Sequence, residues 1–195
     1  MRVGDRAFAN AKALHEFRGQ SNSQADFLVR AGWKAFALSH SDGSAFDLIA
    51  HLQALPRDWQ PHEIAVQAKV DTTTHLPLRL IILRVSPAET AKIHKRLRRR
   101  AQRDRKKLDP RTLVAAEFLI LATSLEAELY PADEVLAVYR LRWQIELAFK
   151  RLKSLLHIDR LPTRPAAASQ SWLYAHLILA LLCDDLSQDF LAVSP

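Results

Sequence analysis

Apolar residues recur along this chain in two periods, and the change from one period to the other divides it into elements. Alternation at Ile64, Val66, Ala68 and Val70 predicts a half-buried strand over Ile64–Val70. Leu78–Val85, Phe118–Thr123 and Asp26–Arg30 are compact apolar runs that also suit strands, and Val3-Gly4-Asp5 reads as the end of another. Turn signals at Ser41-Asp42-Gly43, Leu55-Pro56-Arg57 and Leu76-Pro77 separate the short runs, and Asp71 with its threonines reads as a turn. The helical period takes over in four places. Asn10–Phe17 suits a short helix. Ser86-Pro87-Ala88-Glu89 is a capping box that opens a helix expected to reach Leu108. Pro131-Ala132-Asp133-Glu134 opens another, expected to reach Leu156, and Ala166–Phe190 forms an apolar C-terminal helix. The expected fold class is therefore α/β (α+β). Its divisions are residues 1–33, a β-rich segment 34–115 that includes the helix 87–108, and 116–195.

Charge changes this picture in one place. The net charge is +7, from 28 Lys and Arg against 21 Asp and Glu. Ten of the basic residues and one acid, Asp104, lie between Lys92 and Lys107, which leaves 18 basic residues against 20 acidic ones elsewhere. On the helix expected there, Ile93, Leu97, Ala101 and Leu108 share a narrow apolar side. Arg96, Arg99, Arg100 and Arg103 lie opposite with Lys92, Lys95, Lys106 and Lys107. Such a face suits a polyanion; charge runs also occur as plain solvated surface. A hydrophobic content of 49% allows a real core, and a single cysteine excludes an internal disulfide and a multi-cysteine zinc site. No apolar run is long enough to span a bilayer, and the first residues lack a signal peptide's apolar stretch, so no membrane partner and a cytoplasmic location are expected.

The densest chemistry lies on the helix opened by Pro131. Leu141, Ile145, Ala148, Leu152 and Leu155 cluster on one side of the wheel and are expected to face the core. Tyr139, Arg142, Glu146 and Lys153 cluster on the other. Arg and Lys grip phosphate, Tyr stacks on a base or bonds a phosphate oxygen, and Glu supplies the hard oxygen that magnesium prefers. Arg142 and Glu146 are also spaced as an ordinary i, i+4 surface ion pair.

The pattern Tyr139, Arg142, Glu146, Lys153 resembles the Tyr–Arg–Glu–Lys signature of the insertion-sequence-4 family of bacterial DDE transposases, together with the surrounding residues 139–146 and 149–154. Asp5-Arg6-Ala7-Phe8 is similar to that family's motif around the second catalytic aspartate, and Leu76-Pro77-Leu78-Arg79-Leu80 resembles a strand of its inserted β module. The resemblance implies a ribonuclease-H-like catalytic core interrupted by a β-rich insertion. It implies cleavage and joining of double-stranded DNA at transposon ends, with Mg2+ (or Mn2+) held by carboxylates. Asp5 and Glu146 become catalytic, metal-holding residues. Tyr139, Arg142 and Lys153 become DNA contacts, with Arg96, Arg99, Arg100 and Arg103 adding backbone contacts. Partners would be transposon-end DNA and a transposase oligomer, in a bacterial cytoplasm beside the nucleoid.

The family's first aspartate precedes the Asp5 motif, and only four residues stand before Asp5. The chain is accordingly expected to be an N-terminally truncated copy with an incomplete core and two of three carboxylates, inactive by itself. The alternative is a non-catalytic DNA-binding or regulatory fragment, and a third reading is an unrelated basic domain.

Overall fold

The structure, a computed structural model of the 195-residue chain, describes residues 1–19, 25–155 and 166–193; for 145–146, 148–149, 151–152, 154–155 and 183–193 it describes the backbone alone. Six strands form one mixed sheet: β1 (Arg2–Gly4), β2 (Phe27–Arg30), β3 (Leu38–Ser39), β4 (His62–Lys69), β5 (His75–Arg84) and β6 (Phe118–Thr123). Their spatial order is β1-β2-β6-β5-β4-β3. β1 and β2 run parallel, and every other neighbouring pair is antiparallel. Strands of the 34–115 segment pair directly with β6, through Arg79–Arg84 against Phe118–Thr123. The helices are α1 (Ala11–Gly19), α2 (Leu48–Ala54), α3 (Pro87–Arg103), α4 (Pro110–Ala116), α5 (Ala132–Leu155) and α6 (Ala166–Val193), with a short 3-10 turn at Arg6–Phe8. The chain divides into two compact units, Met1–Tyr139 and Arg140–Pro195.

The first unit is a sheet covered on both faces, and the period-two alternation of its strands sorts the side chains. Phe27 and Val29 of β2, Val66 and Ala68 of β4, Leu78, Leu80 and Ile82 of β5, and Ile120 and Ala122 of β6 join Leu14 of α1, Leu48, Ile49 and Leu52 of α2 and Ala115 of α4 in one core. The intervening Leu28, Ile81 and Leu121 join Ala132, Val135, Leu136 and Tyr139 of α5 in the other. Strands buried on both faces read as unbroken apolar runs, which is why β5 and β6 showed no polar alternation in the sequence. Each fully buried Leu, Ile or Phe contributes about 1.5–3 kcal/mol.

Two short helices lie where strands and turns were expected. In α2, Asp47 accepts from the backbone N–H groups of Ile49 and Ala50 at 2.9 and 3.1 Å, so an aspartate that reads as a turn residue is an N-cap. Asp109 does the same for α4 by accepting from Arg111 N–H at 3.0 Å, with Pro110 in its first turn. The Asp-Pro pair thus opens a helix as well as ending one. The basic helix stops earlier than Leu108: Arg105 takes a left-handed φ of 49°, and Lys106 N–H closes on Ala101 O at 2.9 Å. Its start follows expectation, with Ser86 accepting from Glu89 N–H at 3.3 Å.

On α5 the expected facing is reversed at its first testable positions. Leu141 is 56% exposed and Tyr139 only 8%. The helix docks through Ala132, Val135 and Leu136, and a spacing of three and four residues carries that docked line to Tyr139. Ile145, Ala148, Leu152 and Leu155 lie outside the described side chains. The second unit comprises residues 140–155 of α5 together with α6, on which Tyr174, Ile178, Leu181 and Leu182 are exposed. Among the described residues no helix is long and apolar enough to cross a membrane.

Buried polar groups tie the connection between β6 and α5 to the sheet. The Thr123 hydroxyl donates to Phe27 O at 2.6 Å and accepts from Leu125 N–H at 3.1 Å. Arg79 donates through Nη1 to Tyr130 O at 2.7 Å and through Nε to Glu63 at 2.6 Å. Thr123→Val keeps the shape but leaves Leu125 N–H without its acceptor and Phe27 O with the longer bond from Ser124 N–H at 3.3 Å, and should lower stability in urea denaturation by about 1–3 kcal/mol. At the β4–β5 turn, Asp71 accepts from Thr73 and Thr74 N–H at 2.9 and 2.7 Å, which holds its carboxyl down at about 2. A depressed folded-state value adds stability above the ordinary carboxylate range, lost as pH falls toward 2. Asp71→Ala should therefore lower the melting temperature at pH 7, and the gap from wild type should close between pH 4 and pH 2.

Candidate functional site

Parallel pairing brings the carboxyl ends of β1 and β2 to one edge of the sheet, with Gly4 opposite Val29. Asp5 follows immediately. Its Oδ1 accepts from Ala7 N–H at 2.8 Å and caps the 3-10 turn, which fixes the carboxylate at the strand's end. Gly4 permits this turn: a Cβ there would lie 2.9 Å from the Phe8 side chain. Arg2 steadies the same turn, its guanidinium 5.2 Å from the Phe8 ring centroid and 5.3 Å from that of Phe17.

Arg6, the residue after Asp5, has the guanidinium groups of Arg30 and Arg96 within electrostatic reach. The Arg6 guanidinium is pushed below its ordinary value, chiefly by burial, then by Arg30 at the end of β2 and by Arg96 of α3, while the Tyr139 phenol opposes the shift. Arg30 has a buried Nε without a hydrogen-bond acceptor among the described residues. A group of like charges with an unmet donor is a seat for an anion with several oxygens, and a phosphate suits it. Ligands of sheets with parallel strands characteristically meet those strands at their carboxyl ends.

Arg96 links this seat to the long basic surface of α3. Ile93, Leu97 and Ala101 are half-buried on the docked side, whereas Arg96, Arg98, Arg99, Arg100 and Arg103 are all exposed. Asp104 pairs with Arg103 at 3.0 Å and Arg100 at 3.6 Å, and Glu89 pairs with Lys92 at 2.7 Å. Arg96, Arg98 and Arg99 have no ion pair among the described residues. Surface ion pairs of this kind are weak, so a polyanion can displace them.

Of the signature residues, Tyr139 is buried with Leu28, Ile81 and Leu121, its phenol within electrostatic reach of Arg6. A ring 8% exposed has no face for a base. Arg142 is half-buried and Lys153 exposed; the side chain of Glu146 lies outside the described residues. Among the described residues no three His, Cys, Asp or Glu side chains gather as a metal site. The structure thus places Arg96 and Tyr139 within electrostatic reach of Arg6, the residue after Asp5, and adds Arg6 and Arg30, two residues that charge counting overlooked. Arg6 stood inside the quoted motif, and Arg30 closes an apolar run with an arginine, the available signal for both.

A family model described as the transposase DDE domain matches residues 3–182. The chain belongs to the transposase DDE domain family. This DDE domain is similar to the putative transposase InsL for insertion sequence element IS186A of Escherichia coli (strain K12), with 33% identity over 198 residues, all of this chain and 53% of that protein. The transposase for insertion sequence element IS421 of Escherichia coli matches to the same extent. The transposase for insertion sequence element IS231F of Bacillus thuringiensis subsp. israelensis is 32% identical over 120 residues, 60% of this chain and 24% of that protein. The DDE domain thus spans about half the length of the first two relatives.

Because Gly4 sets the position of Asp5, Gly4→Ala should cost about 1–3 kcal/mol in denaturant unfolding. An unchanged midpoint would show that the Phe8 ring yields and that the turn is not constrained by this contact.

Proposed function

We propose that this DDE domain acts in DNA transposition and binds the phosphodiester backbone of transposon-end DNA. The backbone would run along the exposed face of α3 to the seat formed by Arg6, Arg30 and Arg96 beside Asp5. The observation that carries this reading is the exposed cationic face of α3, on which Arg96, Arg98 and Arg99 have no ion pair among the described residues, with Arg96 also within electrostatic reach of Arg6. The match to the DDE domain and the transposase relatives supports the same substrate class. Within it we read the sheet as the ribonuclease-H-like core, and Tyr139, Arg142, Glu146 and Lys153 as the insertion-sequence-4 signature.

Asp5 suits a magnesium ion: Ala7 N–H orients one carboxylate oxygen, and the other has no hydrogen-bond partner among the described residues. The ion would be held by Asp5 and Glu146, and when bound it would activate a water or 3′-hydroxyl and stabilise the leaving oxygen. The protein's own part is positional. The arginine seat fixes a phosphate and neutralises its charge, the buried Tyr139 braces Arg6, and Arg142 and Lys153 extend the contact along α5.

Backbone binding of this kind releases counterions. The affinity for a transposon-end duplex, read by fluorescence anisotropy, should fall steeply with salt, with a log–log slope of about −0.9 per phosphate contacted. The double variant Arg96→Glu/Arg99→Glu should bind at least about tenfold more weakly at low salt, with a slope shallower by about two contacts. A flat salt dependence in the wild-type chain, or a double variant that binds equally well, would contradict the reading.

A further inference from the structure

A second arrangement stands apart from the arginine seat. Trp33 lies three residues beyond Arg30, and its ring packs against the core formed with α1, α2 and α4. Its Nε1–H donates to Thr112 Oγ1 at 3.2 Å. The Arg111 guanidinium stacks on this ring, 4.7 Å from its centroid, and Lys34 Nζ is 4.5 Å from the same centroid. Asp109 holds both cations. Its Oδ1 accepts from Arg111 Nε at 3.2 Å, and its Oδ2 accepts from Arg111 Nη2 at 3.0 Å and lies 3.6 Å from Lys34 Nζ.

This bonding decides what Arg111 can still do. One edge of the guanidinium is used by Asp109, which also offsets its charge, so it is a poor phosphate clamp. One face lies on Trp33. The side chain is nonetheless 60% exposed, and that of Lys34 67%. What remains is a cationic plane held by Trp33 and Asp109 and open to solvent, with the Lys34 ammonium beside it. A guanidinium plane of this kind stacks on nucleobases, and the ammonium suits the phosphate of the same nucleotide.

We infer that the Trp33–Arg111 stack is a seat for an unpaired base of single-stranded DNA; the inference rests on the DNA-binding reading above. Its location fits that reading. His94 of α3 hydrogen-bonds Leu113 O of α4 at 3.0 Å, so the stack adjoins the basic helix, and Lys106 and Lys107 fill the short connection between α3 and α4.

The test compares a labelled oligothymidine, the same oligomer with abasic sites, and a duplex, in anisotropy titrations against the wild-type chain, Arg111→Lys and Arg111→Ala. Arg111→Lys keeps the charge and removes the plane. Both variants should bind oligothymidine about tenfold more weakly, with duplex and abasic binding unchanged. The emission component lost in Trp33→Phe should be quenched by oligothymidine and not by the abasic oligomer, a readout that leaves Arg111 in place. Equal affinity for the abasic and thymidine oligomers, or wild-type binding by Arg111→Lys, would overturn the inference and leave the duplex reading standing. Absence of binding to duplex and single strand alike would overturn both.

Discussion

The parallel pairing of β1 with β2 is the constraint on which the rest of this unit depends. Every other strand pair in the sheet is antiparallel, so successive antiparallel strands end at opposite edges. Only a parallel pair delivers two carboxyl ends, and the residues that follow them, to one edge. Here that places Asp5 and Arg6 beside Arg30. The crossover such a pair requires carries α1, whose Leu14 covers one face of the sheet. Antiparallel β5 and β6 then set the same edge for α3, because β5 ends at Arg84 opposite Phe118, the start of β6. One topological choice therefore collects a carboxylate, three guanidinium groups and the basic helix.

The charge distribution follows from how α3 is docked. A helix with no fully buried residue holds on by Ile93, Leu97 and Ala101 and by the His94 bond to α4. So narrow an apolar stripe leaves most of the circumference free for cations. Like charges packed this densely repel one another, and that repulsion is relieved when phosphates lie across the face. The arginine seat shares this character more sharply, because burial weakens solvent screening around Arg6.

Much of this was legible in the sequence where one local signal acted alone. The strand Phe118–Thr123, the Ser86 cap and the turn at Asp71 stand where their residues place them. The short helices α2 and α4 were not legible, because Asp47 and Asp109 carry signals that turns and helix caps share. The facing of α5 was misjudged at Leu141 because counting apolar positions weighs Leu above Tyr; the docked line through Val135 and Leu136 is what decides. Arg6 and Arg30 escaped notice for a different reason. Their proximity is a product of strand pairing between distant segments, and no local pattern encodes it.

In the proposed mode, DNA phosphates bind at the carboxyl ends of β1 and β2 together with α3, as one surface. Hydrogen exchange of the chain with and without a transposon-end duplex tests this directly, peptide by peptide. Binding in that mode predicts coordinated protection of residues 2–9, 27–34 and 87–107, saturating at the same DNA concentration. Protection confined to 87–107, with the β1 and β2 peptides unchanged, would contradict it: the basic helix would then bind DNA alone and the arginine seat would have another purpose.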